Sequence, residues 1–181
     1  LMGVAADHCC IQYRMLNKGK GPAVHSLRAQ ADRRAYQNYM KHVIEKTDNL
    51  ELKQAMIVSV DVEEGAVTGV NTMLGAHYDA KAVIIASGTY LDSTVITGSC
   101  VYPSGPDGMH AAIGLAENLR ALGLPLRRFK TGTPPRINRR SVDFSKMELQ
   151  PGDDTVEPFS FRTTHTPENR AVCHLTYTNE E

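Results

Sequence analysis

Ala82-Val83-Ile84-Ile85-Ala86-Ser87-Gly88-Thr89 is the stretch on which the reading of the fold turns. Its first five residues are apolar without alternation and rich in β-branched side chains. They therefore predict a short strand covered on both faces, as in a parallel sheet. The run stops at Ser87-Gly88-Thr89. A glycine there lets the backbone come close to a ligand, and ligands of open α/β sheets sit beyond the carboxyl ends of the strands. A plain strand-to-loop turn is the competing reading of Ala86–Thr89.

Upstream, Met56, Val58, Val60 and Val62 alternate with Ile57, Ser59, Asp61 and Glu63, a half-buried strand pattern. Glu64-Gly65 turns the chain into Ala66–Met73, and Gly75 turns it again into Ala76–Ala80, which predicts a three-stranded antiparallel meander. Leu50-Glu51-Leu52-Lys53 alternates as a short strand. Before it, alanines at 29, 31 and 35 and an apolar face of Tyr36, Tyr39, Met40, Val43 and Ile44 predict a helix from Arg28 to Lys46. Residues 1–26 read as irregular apart from a short strand over Ile11–Leu16.

Downstream, Gly98–Gly108 reads as loop. A helix is predicted from Met109 to Leu122, stopped by Gly123 and Pro125. Leu126–Lys130 reads as a strand, 138–158 as polar loop, and Phe159–Arg162 and Val172–Thr178 as two further strands. The order of helix, meander, apolar strand and small-Gly-Thr turn is that of the second half of a two-dinucleotide flavoprotein domain, with the meander replacing a crossover helix. The expected fold is α/β: residues 1–92 as part of an FAD/NAD(P)-binding, Rossmann-like domain of the glutathione-reductase type, and residues 93–181 as a helix plus β-rich insertion or substrate domain.

At 41% hydrophobic and 22% charged, the 181 residues can bury a core and stay soluble. No apolar stretch is long enough to span a membrane, and Leu1-Met2-Gly3-Val4 lacks the features of a signal peptide; a cytoplasmic location is expected. The four cysteines, Cys9, Cys10, Cys100 and Cys173, form no CxxC pair and read as reduced thiols. The chain does not open at an initiator Met and closes on a strand-like run, so it is expected to be an internal piece of a longer protein.

The net charge is zero, so a nucleic-acid partner needs a local basic patch. One is present in sequence: Arg120, Arg127, Arg128, Lys130, Arg136, Arg139, Arg140 and Lys146 are opposed only by Asp143, a net +7. Such a stretch suits RNA phosphates, or it is a solvated surface balanced by the acidic residues from Glu148 onward. Asn17-Lys18-Gly19-Lys20-Gly21-Pro22 before a helix can hold an anion, although it is no Walker loop and a solvated loop explains it better. His8-Cys9-Cys10 has no second pair at ligand spacing, so no metal is expected. The sequence holds no GxSxG, HExxH or EF-hand pattern.

Taken in order, these segments resemble the glucose-inhibited division protein A family. Ile11-Gln12-Tyr13-Arg14-Met15-Leu16-Asn17, Lys20-Gly21-Pro22-Ala23-Val24 and Leu27-Arg28-Ala29-Gln30-Ala31-Asp32-Arg33 are similar to its IQFRxLN…KGPAV…RAQAD block. Ala80–Asp92 is similar to AKAVVLTxGTFLDG, Lys130–Ile137 to KTGTPPRI, Val142–Ser145 to IDFS, and Thr176–Glu180 to THTNE. The resemblance implies a flavin-dependent tRNA-modifying enzyme acting at C5 of the wobble uridine, position 34. It implies FAD, NADH as reductant, methylenetetrahydrofolate as one-carbon donor, a homodimer, and a GTPase partner subunit of the MnmE/TrmE family.

By motif position the resemblance implies cofactor contacts at Ile57, Ser87, Gly88, Thr89 and Ala112, the last standing where a serine is common. Lys130, Thr131, Thr133 and Arg136 fall in its active-site-facing loop. Together with them, Arg127, Arg128, Arg139 and Arg140 are the candidate tRNA contacts. The family's GxGxxG turn and its catalytic cysteines match nothing in this chain, and His25 stands where arginine is common, so no catalytic residue is assigned and the piece alone is expected to be inactive. The alternatives are the related folate- and FAD-dependent tRNA uridine-5-methyltransferase and a non-catalytic RNA-binding module.

Overall fold

The computed structural model describes residues 1–132 and 134–180. In chain order its helices and strands are α1 (Met2–Cys9), β1 (Cys10–Leu16), β2 (Ser26–Ala31), α2 (Arg33–Glu45), β3 (Ile57–Glu63), β4 (Ala66–Thr72), β5 (His77–Asp79), β6 (Thr94–Thr97), β7 (Cys100–Pro103), α3 (Leu115–Ala121), β8 (Glu148–Gln150) and β9 (Cys173–Leu175). They form two compact units, Leu1–Leu52 with Pro134–Glu181, and Lys53–Thr133. The boundary expected at residues 92 and 93 falls inside the second of these.

In the first unit, β1 and β2 pair antiparallel, with Tyr13 opposite Ala29 and Arg14 opposite Arg28. Two expectations change here. Residues 2–9 are helical rather than irregular, and Arg28–Ala31 is strand rather than the start of a helix. Alanine's helix preference amounts to only tenths of a kcal/mol per residue over most other residues, and a ladder of cross-strand bonds to β1 outweighs it. Asp32 then ends the strand and caps α2, its carboxylate accepting from the N–H groups of Arg34 and Ala35. The apolar face of α2 is as expected: Tyr36, Tyr39, Met40, Val43 and Ile44 are half-buried.

The expected strand Phe159–Arg162 is instead a turn gathered around a buried carboxylate. Asp7, 4% exposed, accepts from Tyr13 Oη at 3.0 Å, Phe159 N at 2.8 Å, Ser160 N at 3.0 Å and Thr163 Oγ1 at 2.6 Å. Burial pushes this carboxyl up, but the four donors together hold it below the usual range. Burial and the neighbouring Asp7 push the Tyr13 hydroxyl up, so it remains the donor. β9 pairs with β8, Leu149 opposite His174, not with the 159–162 segment. Gln12 ties this two-stranded sheet to β1: its Nε2 donates to Gln150 O at 2.9 Å, and its Oε1 accepts from Cys173 Sγ at 3.1 Å.

In the second unit the meander forms as its alternation predicts, in the order β3-β4-β5 and antiparallel throughout. One face packs on α3. Val60, Leu115 and Leu119 are the buried cluster, with Ile57, Val67, Val70, Val83, Leu91 and Leu126 against it. Asn118 Oδ1 accepts the Val60 N–H at 2.9 Å, so the helix also completes a strand amide. α3 begins at Leu115, not Met109. Gly114, at φ +95°, redirects the chain just before it, and Ala112 is held in an extended bridge to Leu91. Its end is as expected: Gly123 sits at φ +89°, with Leu124 N donating to Leu119 O and Gly123 N to Arg120 O, a Schellman closure. A hairpin, β6–β7, runs into the expected Gly- and Pro-rich loop, with its turn and β7 inside it. Leu50–Lys53 and Leu126–Lys130 are not strands.

The largest correction concerns Ala82–Ala86. It is unpaired, with Ile84 92% and Ile85 42% exposed. A strand exists only when neighbours complete its ladder, and no described strand lies alongside it. Of the five residues only Val83 packs on the core.

Candidate functional site

The turn after Ala86 is built by backbone bonding. Tyr90 N donates to Ser87 O at 3.1 Å, Ala112 N to Tyr90 O at 2.8 Å, and Asp92 N to Ala112 O at 3.0 Å. Four of the five expected cofactor residues, Ser87, Gly88, Thr89 and Ala112, are thereby brought to one turn. Gly88 lies at φ +54°, and a Cβ added there would meet nothing within 4 Å. An open, side-chain-free backbone fits the close approach of a planar cofactor. Both backbone groups of Ala112 are already used within the turn, its N–H by the Tyr90 carbonyl and its C=O by the Asp92 N–H. Ile57 starts β3 and packs against the Val60–Leu115–Leu119 cluster.

Asp92 organises the far side of this turn, which the sequence did not signal. Its carbonyl accepts from Arg128 Nη1 at 3.2 Å, and its carboxylate lies 3.9 Å from Arg120 Nη1. Two of the eight basic residues are thus partly committed to the turn. The basic stretch is also divided: Arg120, Arg127, Arg128 and Lys130 belong to the second unit, and Arg136, Arg139, Arg140 and Lys146 to the first. Arg127, Arg128, Lys130, Thr131, Arg136, Arg139 and Arg140 are all exposed. Thr133 lies outside the described residues.

The glycine-lysine loop is not an anion cradle. It forms two single 3-10 turns and leads into β2 rather than a helix. Lys18 pairs instead with Asp153 at 2.7 Å. The N–H groups at the start of α2 already have the Asp32 carboxylate. His8 lies against Tyr39, ring centroids 4.8 Å apart, and no cluster able to hold a metal occurs among the described residues. All four cysteines are free thiols. Burial pushes the Cys9 and Cys10 thiols up, away from the reactive thiolate.

Comparison with known proteins bears on all of this. The family model described as glucose inhibited division protein A matches residues 1–181. The chain belongs to that family.

Among relatives in the glucose-inhibited division protein A family, the tRNA uridine 5-carboxymethylaminomethyl modification enzyme MnmG of Clostridium botulinum (strain Hall) is 53% identical over 180 residues, covering 99% of this chain. The enzyme of the same name from Caldicellulosiruptor saccharolyticus is 52% identical over the same share. The chain spans 29% of the length of both. The crystal structure of Aquifex aeolicus GidA superimposes with a TM-score of 0.88 at 42% identity, covering 96% of this chain and 30% of that one. The mixed α/β architecture with antiparallel sheets is therefore that of the family. No described helix is long and apolar enough to cross a membrane.

Proposed function

We propose that this chain is part of a flavin-dependent enzyme that builds the carboxymethylaminomethyl-type group on C5 of the wobble uridine, position 34, of tRNA. The observation that carries the reading is kinship along 180 of the 181 residues with enzymes named for that modification. In the proposed enzyme the apolar run Ala82–Ala86 completes a parallel, Rossmann-like sheet with strands from the rest of the family's length, which would cover Ile84 and Ile85. FAD, reduced by NADH, would supply the electrons for fixing the one-carbon unit of methylenetetrahydrofolate.

The residues of this chain have narrower tasks. Ser87, Gly88 and Thr89 offer an open backbone to the cofactor, and the Ala112 methyl and Ile57 line its apolar side. Lys130, Thr131, Thr133 and Arg136 face the substrate, and Arg127, Arg128, Arg139 and Arg140 meet tRNA phosphates. The working form is a cytoplasmic homodimer acting with a GTPase subunit.

The test uses the natural full-length protein. Flavin should copurify with it, Gly88→Val should lose the flavin by filling the open space at that backbone, and tRNA from cells lacking the protein should carry an unmodified wobble uridine. A colourless protein and unchanged tRNA nucleosides refute the reading.

A further inference from the structure

We propose that Phe144, braced by His174 and contacted by the Arg139 guanidinium, is a stacking platform for one unpaired nucleobase of an RNA substrate. The proposal rests on the RNA reading above and names a contact within it.

The ring is held in place from below. Asp143 Oδ1 accepts from Ser145 N at 3.1 Å and Ser145 Oγ at 2.6 Å, capping the 3-10 turn Phe144–Lys146 and fixing the backbone that presents the ring. The His174 ring lies 4.6 Å away, centroid to centroid, tilted by 55°. His174 sits on β9 opposite Leu149, in the sheet that Gln12 anchors to β1. Phe144 is thus held by a capped turn and a ring contact, yet it remains 38% exposed.

Its surroundings are those of a nucleic-acid contact. The Arg139 guanidinium carbon lies 5.9 Å from the ring centroid. Asn138 fixes the Arg139–Ser141 turn by accepting from Arg140 N at 3.0 Å, so Arg139 and Arg140 leave one short, capped turn. Lys146 is on the next turn, 3.7 Å from Asp143. An aromatic face offers a base about 1–3 kcal/mol of stacking, and adjacent cations supply the salt-dependent phosphate attraction. An aromatic side chain has few rotamers to lose, so a braced ring binds at low entropic cost. An acidic peptide would use the arginines and leave the ring idle.

The experiment measures binding of the natural full-length protein to a tRNA anticodon stem-loop with 2-aminopurine in its unpaired loop, across a salt series. Quenching of the 2-aminopurine reports stacking. Phe144→Ala should weaken binding by about 5- to 150-fold, abolish the quenching and leave the salt slope unchanged. Phe144→Leu, which keeps apolar bulk without a π face, should behave alike, and Phe144→Tyr should restore both signals. Arg140→Ala should keep the quenching and reduce the log–log salt slope by about 0.7–0.9.

The proposal is overturned if Phe144→Leu binds and quenches as the wild type does, or if it changes the salt slope as Arg140→Ala does. It is also overturned if polyglutamate competes with the RNA equally for wild type and Phe144→Leu. Failure of the wild type to bind any RNA would refute the underlying function instead, and the platform with it.

Discussion

Replacing Asp7 with asparagine removes one oxygen and one charge from a buried side chain that accepts four hydrogen bonds. In the native structure one carboxylate oxygen serves Tyr13 Oη and Phe159 N, and the other serves Ser160 N and Thr163 Oγ1. The asparagine amide has a single acceptor oxygen. If it keeps the first pair, its NH2 group faces the Ser160 N–H and the Thr163 hydroxyl. The hydroxyl can turn and accept, but the N–H cannot. One buried donor without a partner costs about 1–3 kcal/mol, and each remaining bond loses the roughly 1 kcal/mol that a charged acceptor adds.

The Asp7→Asn sum is about 3–5 kcal/mol. For a compact unit of roughly 100 residues this lowers the melting temperature by about 12–20 °C. Hydrogen exchange should show Phe159 and Ser160 amides losing protection first. The charge also sets a pH dependence. The Asp7 carboxyl is held below its ordinary value of 3.8, so the unfolded chain takes up its proton first as pH falls. Its stabilisation is fully present above about pH 4 and is lost as the pH drops through the depressed folded value. Asp7→Asn should therefore flatten the acid limb of the stability profile. A variant melting within 2 °C of wild type, with the acid limb intact, would refute the assignment of Asp7 as the bond that orders residues 159–163.

Asn118→Ala should destabilise the second unit by about 1–3 kcal/mol, read from its denaturant midpoint, because the Val60 amide loses its acceptor. Gly69→Ala places a Cβ 2.6 Å from both the His77 ring and the Tyr78 carbonyl. It should cost about 1–3 kcal/mol, and adding His77→Ala should recover only part of that, since the backbone oxygen stays; full recovery would contradict the geometry. Alkylation at neutral pH followed by mass spectrometry should label the exposed Cys100 rapidly. The buried Cys9 and Cys10, with thiols pushed up, should react only on unfolding.

Local patterns made parts of this protein legible in advance. Period-two alternation from Met56 to Glu63, followed by turns at Glu64-Gly65 and Gly75, specified the meander, because side-chain direction and turn chemistry are properties of a few adjacent residues. The helical face of Tyr36 to Ile44 and the glycine stop at 123 were readable for the same reason. So was the family, from motifs that lie in order along the chain.

What pairs with what was not local, and the tertiary structure decided it. Arg28–Ala31 has the composition of a helix but becomes a strand, because β1 supplies a ladder across an intervening loop. Ala82–Ala86 has the composition of a buried strand but stands exposed at Ile84 and Ile85, because no described strand runs beside it. Asp7 falls in a stretch whose sequence reads as irregular, yet three of its four donors lie more than 150 residues away. Residue order settled the local conformational preferences and the family. Which polar groups are buried, and which aromatic ring is braced, depended on partners that only the folded chain brings together.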